Sequence, residues 1–254
     1  MTEPQLVRTL PGVALDEMVA LAELRVRTDR KYIVDDETLA QLLESQADTV
    51  AILDIDARRE FNYETVYFDT ANLDLYRAAA TGRRRRFKVR TRVYVASDVA
   101  VLEVKLKDGR GRTVKKGFDY SPVNRERLTR EGAAFVEELV GRPGLAATLQ
   151  PVLTTRYRRM TIVDRAAQSR ATIDRGLVCT DKEGRTVAMG DVIIESKSDL
   201  AASPIDRWLW RRGYRPIRIS KCCTSMAAMQ PDLPSNKWHR TLKRHFPQPQ
   251  SAFS

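Results

Sequence analysis

Residues 83–92 read RRRRFKVRTR. With the two-residue period of a strand, Arg84, Arg86, Lys88, Arg90 and Arg92 fall on one face, and Phe87, Val89 and Thr91 on the other, which Val93 and Val95 extend. Five like charges along one strand face repel each other, so water or a strong anion must neutralise them. Two readings follow: a solvated basic strand or nucleic-acid patch, or one wall of a closed sheet with a charged lumen. The second gains weight because other segments carry Arg, Lys or Glu at the same spacing. Residues 100–107, AVLEVKLK, set Glu103, Lys105 and Lys107 against Leu102, Val104 and Leu106.

Outward from this pair, Asp108-Gly109 and Gly111 supply turn chemistry, and Arg112–Phe118 can return as an antiparallel partner. Upstream, 62–69 (NYETVYFD) and 25–34 read as strands, with a short helix or turn over 70–80 ending at Gly82. Asp35 or Asp36 can cap a helix over 37–46, where Leu39, Leu42 and Leu43 form a stripe, and 14–24 reads as a short amphipathic helix. Downstream, 124–140 is helical and closed by Gly141, while 151–163, 170–174 and 192–197 read as strands. Ser203-Pro204 starts a helix that Gly213 ends. The count is about eight strands with a few helices, hence α+β with a mainly antiparallel sheet.

Hydrophobic content of 43% and charged content of 30% describe a globular chain able to bury a core. A net charge of +11 favours a phosphate-rich or otherwise anionic partner. Both histidines, His239 and His245, sit near the C-terminus, which argues against histidine catalysis. Cys179, Cys222 and Cys223 are too few and too badly spaced for a disulfide framework or a zinc site; Cys222 and Cys223 read as strand thiols. Neither a signal peptide nor an apolar run of about 18 residues occurs, so a cytoplasmic location is expected. With no G-x-x-x-x-G-K-[ST] or G-x-G-x-x-G loop, side chains would have to hold any phosphate. Arg83 and Arg85 read as rim or solvated positions. Tyr32, Tyr67, Phe68, Tyr94, Trp208 and Trp210 read as packing groups.

Nine segments occur in a telling order: DRKY (29–32), VYFDT (66–70), KVRTRVY (88–94), EVKLKDG (103–109), TVKKGF (113–118), TTRYRR (154–159), RATID (170–174), IIESK (193–197) and RISK (218–221). Together they resemble the polyphosphate polymerase (vacuolar transporter chaperone, VTC) domain, a branch of the triphosphate tunnel metalloenzymes of the CYTH-like superfamily. Residues 1–24 read as an N-terminal leader and helix and 231–254 as a basic, disordered tail, and the resemblance implies an antiparallel β-tunnel over the 25–230 between them. It implies transfer of the γ-phosphate of ATP onto inorganic polyphosphate with release of ADP, aided by Mn²⁺ or Mg²⁺. On this resemblance Lys31, Arg90, Arg92, Lys115, Arg158 and Lys221 (the lysine of a last strand) are catalytic. Arg86, Lys88, Lys105, Arg170, Lys197 and Arg218 bind substrate. Glu195 holds metal; Glu103 either does so too or pairs with Lys105 or Arg92. The chain lacks the ExExK opening of the hydrolytic and cyclase branch, with DRKY in its place. Partners implied are ATP or another nucleoside triphosphate, polyphosphate, and a membrane partner protein that would bring the domain to the inner face of the membrane, with no specific nucleic acid. A tunnel-type triphosphatase, and a non-catalytic module for polyphosphate, an inositol phosphate or RNA, are the alternative functions.

Overall fold

The structure is a computed structural model that describes residues 5–22, 28–109, 113–199 and 201–246. In chain order its elements are β1 (Gly12–Val13), α1 (Leu15–Ala22), β2 (Thr28–Val34), α2 (Asp36–Gln46), β3 (Val50–Leu53), β4 (Phe61–Asp69), α3 (Asp74–Ala80), β5 (Arg86–Tyr94), β6 (Val99–Lys107) and β7 (Thr113–Tyr120). There follow α4 (Arg130–Val140), β8 (Gln150–Asp164), β9 (Ser169–Asp181), β10 (Thr186–Met189), β11 (Val192–Ser198), α5 (Pro204–Arg211), α6 (Lys221–Met229) and α7 (His239–His245).

The chain divides into two compact units, and β8 and β9 each run through both. Unit 1 holds residues 1–61, 157–177 and 189–218. Here β11 pairs antiparallel with β2 and β9, β3 pairs antiparallel with β8, and β1 pairs parallel with β3. One sheet face packs on α2 and α5: Tyr32, Val34, Ile173, Ile194 and Met160 meet Leu39, Leu42, Leu43, Trp208 and Leu209. Full burial of each aliphatic side chain there contributes about 2 kcal/mol. Asp35 caps α2 by accepting the Thr38 N–H at 2.7 Å, and Ser203 caps α5 in a reciprocal box with Asp206. Buried Asp206 also accepts the Tyr32 hydroxyl at 2.8 Å and Arg30 at 3.2 Å, which ties α5 to β2.

Unit 2 holds residues 62–156, 178–188 and 219–254. Its strands β4, β5, β6 and β7 pair antiparallel in that order. Val66, Phe68, Val89, Leu102 and Val104 point to α4, which supplies Val136, Phe135 and Leu139. Thr129 caps α4, and Gly141 ends it with the positive φ of 68° that glycine adopts without steric cost.

The expected antiparallel sheet with flanking helices is present, with eleven strands among the described residues. It is not closed into a barrel. The strand order β2-β11-β9-β8-β4-β5-β6-β7 is an open path, and at Lys31 the outer edge of β2 accepts the Ile217 N–H at 2.8 Å instead. RISK is not a last strand: Ser220 accepts the Cys223 N–H at 3.2 Å and so starts α6, placing Lys221, Cys222 and Cys223 on a helix. Nor is the C-terminal stretch unstructured over 236–246. Trp238 and Phe246 are buried there, and Lys237 donates to the Ala79 carbonyl at 2.8 Å.

Candidate phosphate-binding site

In unit 2 the sheet face opposite α4 carries the charges. Register places Tyr67 beside Arg90, Arg90 beside Glu103, and Glu103 beside Gly117. One step along, Lys88, Lys105 and Lys115 lie abreast, then Arg86 beside Lys107. Glu103 is 2% exposed. Its carboxylate accepts Arg90 Nε at 2.6 Å and Lys115 Nζ at 2.7 Å, with an Arg92 amino nitrogen at 3.8 Å. Burial alone would push this carboxyl up, but Arg90, Arg92 and Lys115 outweigh it and hold the group well below the usual carboxylate range. Gly117 leaves the room the crowding demands, since a Cβ there would stand 3.0 Å from Val101 Cγ1. Arg90 and Arg92 lie over the Tyr67 and Tyr63 rings, at 5.9 and 5.6 Å. Arg92 is 8% exposed, and its Nε is a buried donor without an acceptor. An N–H so placed costs stability until an anion meets it.

Lys88 belongs to the same face, but its Nζ is turned to Ser220 Oγ at 2.9 Å, at a pocket lined by Tyr67, Asp69, Tyr76, Cys222 and Cys223. A hydrogen bond from Cys222 holds the Cys223 thiol well below its usual range, and the Lys88 ammonium adds to this. Both cysteines are buried and free. Lys221 stands at the start of α6, where its charge acts on Cys179.

In unit 1 a second cluster sits on the sheet face opposite α2 and α5. Glu195 lies between Lys31 on β2 and Thr172 on β9, and Lys197 lies beside Arg170. The Glu195 carboxylate is 3.6 Å from Lys31 Nζ and 3.3 Å from Lys197 Nζ. Burial depresses the Lys197 ammonium, with Arg170 and Arg159 adding to the shift and Glu195 and Asp29 opposing it. All four therefore lie within electrostatic reach of Lys197. Thr172 Oγ1 is buried without a partner.

Arg159, which the sequence reading passed over, meets fully buried Asp174 through both arms of its guanidinium, at 2.6 and 2.8 Å. Arg158 faces the other way and pairs with Glu60 at 3.1 Å, near an Arg175–Asp36 pair. Strand parity separates the two arginines: Met160 and Ile162 share the side of Arg158 and enter the core against α2, whereas Tyr157 and Thr161 share the side of Arg159. That parity was readable in TTRYRRMTIV had the apolar Met160 and Ile162 been used to fix the faces. Arg218 is exposed in the segment after α5, next to the Ile217 that bonds to β2.

Among the described residues no group of three or more carboxylate, thiol or imidazole side chains could enclose a metal ion. Glu195 and the orphaned Thr172 hydroxyl do fit an oxygen-seeking cation that takes one protein carboxylate and completes its shell with water and phosphate oxygens. Glu103, saturated by three cations, does not present itself as such a ligand.

Comparison of the sequence with curated proteins finds no match. Among solved structures, a Bacillus halodurans protein described as an adenylate cyclase candidate aligns at 14% identity, covering 77% of this chain and 94% of that one, with a TM-score of 0.48. A Hippeastrum protein described as having a dominant triphosphatase activity aligns at 16% identity over 76% of this chain and 91% of its own, with a TM-score of 0.45. The PH1819 protein of Pyrococcus horikoshii OT3 aligns at 12% identity over 76% and 91%, with a TM-score of 0.41. The family model described as the VTC domain matches residues 26–230, most of the chain. The chain therefore belongs to the VTC domain family.

Proposed function

We propose that this protein moves the γ-phosphoryl group of ATP onto an inorganic polyphosphate chain and releases ADP. Membership of the VTC family supports a function on polyphosphate or triphosphate. The observation that carries the finer reading is the Glu103 group: Arg90, Arg92 and Lys115 are fixed around one buried carboxylate before any phosphate arrives. Phosphoryl transfer asks little covalent chemistry of the protein and much alignment and charge neutralisation. In this reading the two arginine forks orient phosphate oxygens, with the unsatisfied Arg92 Nε as a ready donor, while Lys115 follows charge as it moves. Lys31, Lys197 and Arg170 bind phosphate through the Glu195 cluster in the same manner, and Arg159 joins them as a positioning group held by Asp174. Glu195 would hold a Mn²⁺ or Mg²⁺ ion, which would supply Lewis-acid charge neutralisation to the phosphates.

The test is to incubate the protein with ATP and Mn²⁺ or Mg²⁺ and resolve the products. Polyphosphate chains together with ADP are expected. Orthophosphate as the sole phosphate product would make it a triphosphatase. Tight polyphosphate binding without turnover would make it a binding module. Glu195→Gln should abolish most of the rate while the affinity for polyphosphate stays near wild type; loss of affinity in step with rate would remove Glu195 from its role as metal ligand.

A further inference from the structure

Along β5 the positive charge does not end where the Glu103 group ends. From Arg90 toward the start of the strand come Lys88, abreast of Lys105 and Lys115, then Arg86 abreast of Lys107. Like charges directly opposite one another in a sheet are unfavourable, so this ladder stores repulsion that an anion would relieve. Beyond it lie Arg83, Arg84 and Arg85, all exposed. Their segment leaves α3 through the Arg83 N–H, which donates to Ala78 O at 2.9 Å. Arg84 Nε donates to the Gly109 carbonyl at 3.0 Å, and Arg86 donates to the Arg83 carbonyl at 2.5 Å. These bonds go to backbone and leave each guanidinium its charge. None of Arg83, Arg84, Arg85 and Arg86 has a carboxylate partner among the described residues. Asp108 is an acid at this end, in the turn between β6 and β7.

We infer that Arg83, Arg84 and Arg85 form an outer landing for a polyphosphate chain, continuous with the cation ladder of β5, β6 and β7. Neutralisation is uneven along the ladder, and this sets the direction: Glu103 holds Arg90 and Lys115 at one end, while Arg83, Arg84, Arg85 and Arg86 at the other have no carboxylate partner among the described residues. A polyanion gripped near Arg90 lowers its energy by running toward Arg83. A triphosphate is too short to reach both ends, whereas a long chain gains every added contact. This rests on the function proposed above, because it names the path of that same polymer.

The experiment uses the full chain with Arg83, Arg84 and Arg85 all changed to Ser, beside a variant with all three changed to Lys. Affinities for tripolyphosphate and for long-chain polyphosphate are measured by calorimetry over a series of salt concentrations. The Ser variant should lose about tenfold or more in long-chain affinity, and its salt slope should fall by about two, as the loss of three phosphate contacts on a single-stranded polyanion requires. Tripolyphosphate affinity should not change, and the Lys variant should restore most of the long-chain affinity. Unchanged long-chain affinity, or equal loss for both ligands, overturns the inference. So does a loss confined to phosphatidylserine vesicles, which would make the landing a lipid contact. If the Ser variant shows the length-dependent loss but the wild type makes no polymer from ATP, the landing stands and the polymerase reading falls. If it polymerises and the loss is absent, the landing alone falls.

Discussion

Glu103 is the residue on which the unit 2 cluster turns. One carboxylate fixes three cations that would otherwise repel one another, so each donor is oriented before it meets a ligand. Replacing Arg90 or Arg92 by Ala should lower the rate of ATP consumption about a hundredfold to a thousandfold, the usual cost of removing one fixed donor from developing charge. A steady-state assay of ADP release checks this, and near-normal rates in both variants would remove β5 from the site. The two neighbouring arginines of β8 give a sharper comparison. Arg159→Lys should raise KM for ATP about tenfold, since a point charge cannot replace a fork held by Asp174. Arg158→Lys should leave KM and kcat nearly unchanged, because its pairing with Glu60 lies on the other sheet face. At this scale strand alternation puts Arg86, Lys88, Arg90 and Arg92 on one side of β5, and the register keeps them together. It does not choose between Arg158 and Arg159, since adjacent strand positions point to opposite faces and charge alone favours neither.

Among the elements, β5 and β6 were legible because charged and mainly apolar positions alternate through Arg86–Arg92 and Leu102–Lys107. By contrast β3, VAIL, is buried at all four positions between β1 and β8, so it shows no period to read. α6 was hidden for another reason: the capping role of Ser220 depends on Thr224 and Cys223, which reads as a helix start only once RISK is not taken as a strand. Ser220→Ala should cost about 1 kcal/mol of stability through the lost cap, and thermal denaturation measures it. The β5–β6–β7 ladder makes a prediction about pH. Glu103 titrates in the fold below its ordinary value of 4.5, so its ion pairs contribute fully above that pH and are lost as pH falls through the lower folded value. Glu103→Gln should therefore lower stability at pH 7 by about 3 kcal/mol, since three cations lose a buried partner. It should also flatten the decline of stability on acidification below pH 4.5. Denaturant titrations at a series of pH values test both; an unchanged acid limb would mean the clasp does not form in solution.

For the molecule as a whole, the excess of 44 basic over 33 acidic side chains predicts polyanion binding that weakens log-linearly with salt. The family and the antiparallel sheet were readable from motif order and strand alternation. Openness of the sheet was not, because alternation is the same in an open and a closed sheet, and closure depends on what the outermost strands meet. The consequence of that openness falls on β7, the last strand of the path, which is mostly exposed. An unpaired strand edge is a template on which a second chain can add. Lys115 and Lys116 sit in the middle of this one, so the lysine that steadies Glu103 belongs to a pair of the kind expected to discourage edge-to-edge docking. A chain bearing valine at both positions would be expected to lose its solubility along with its grip, a sign that self-avoidance and ligand recognition draw on the same charge.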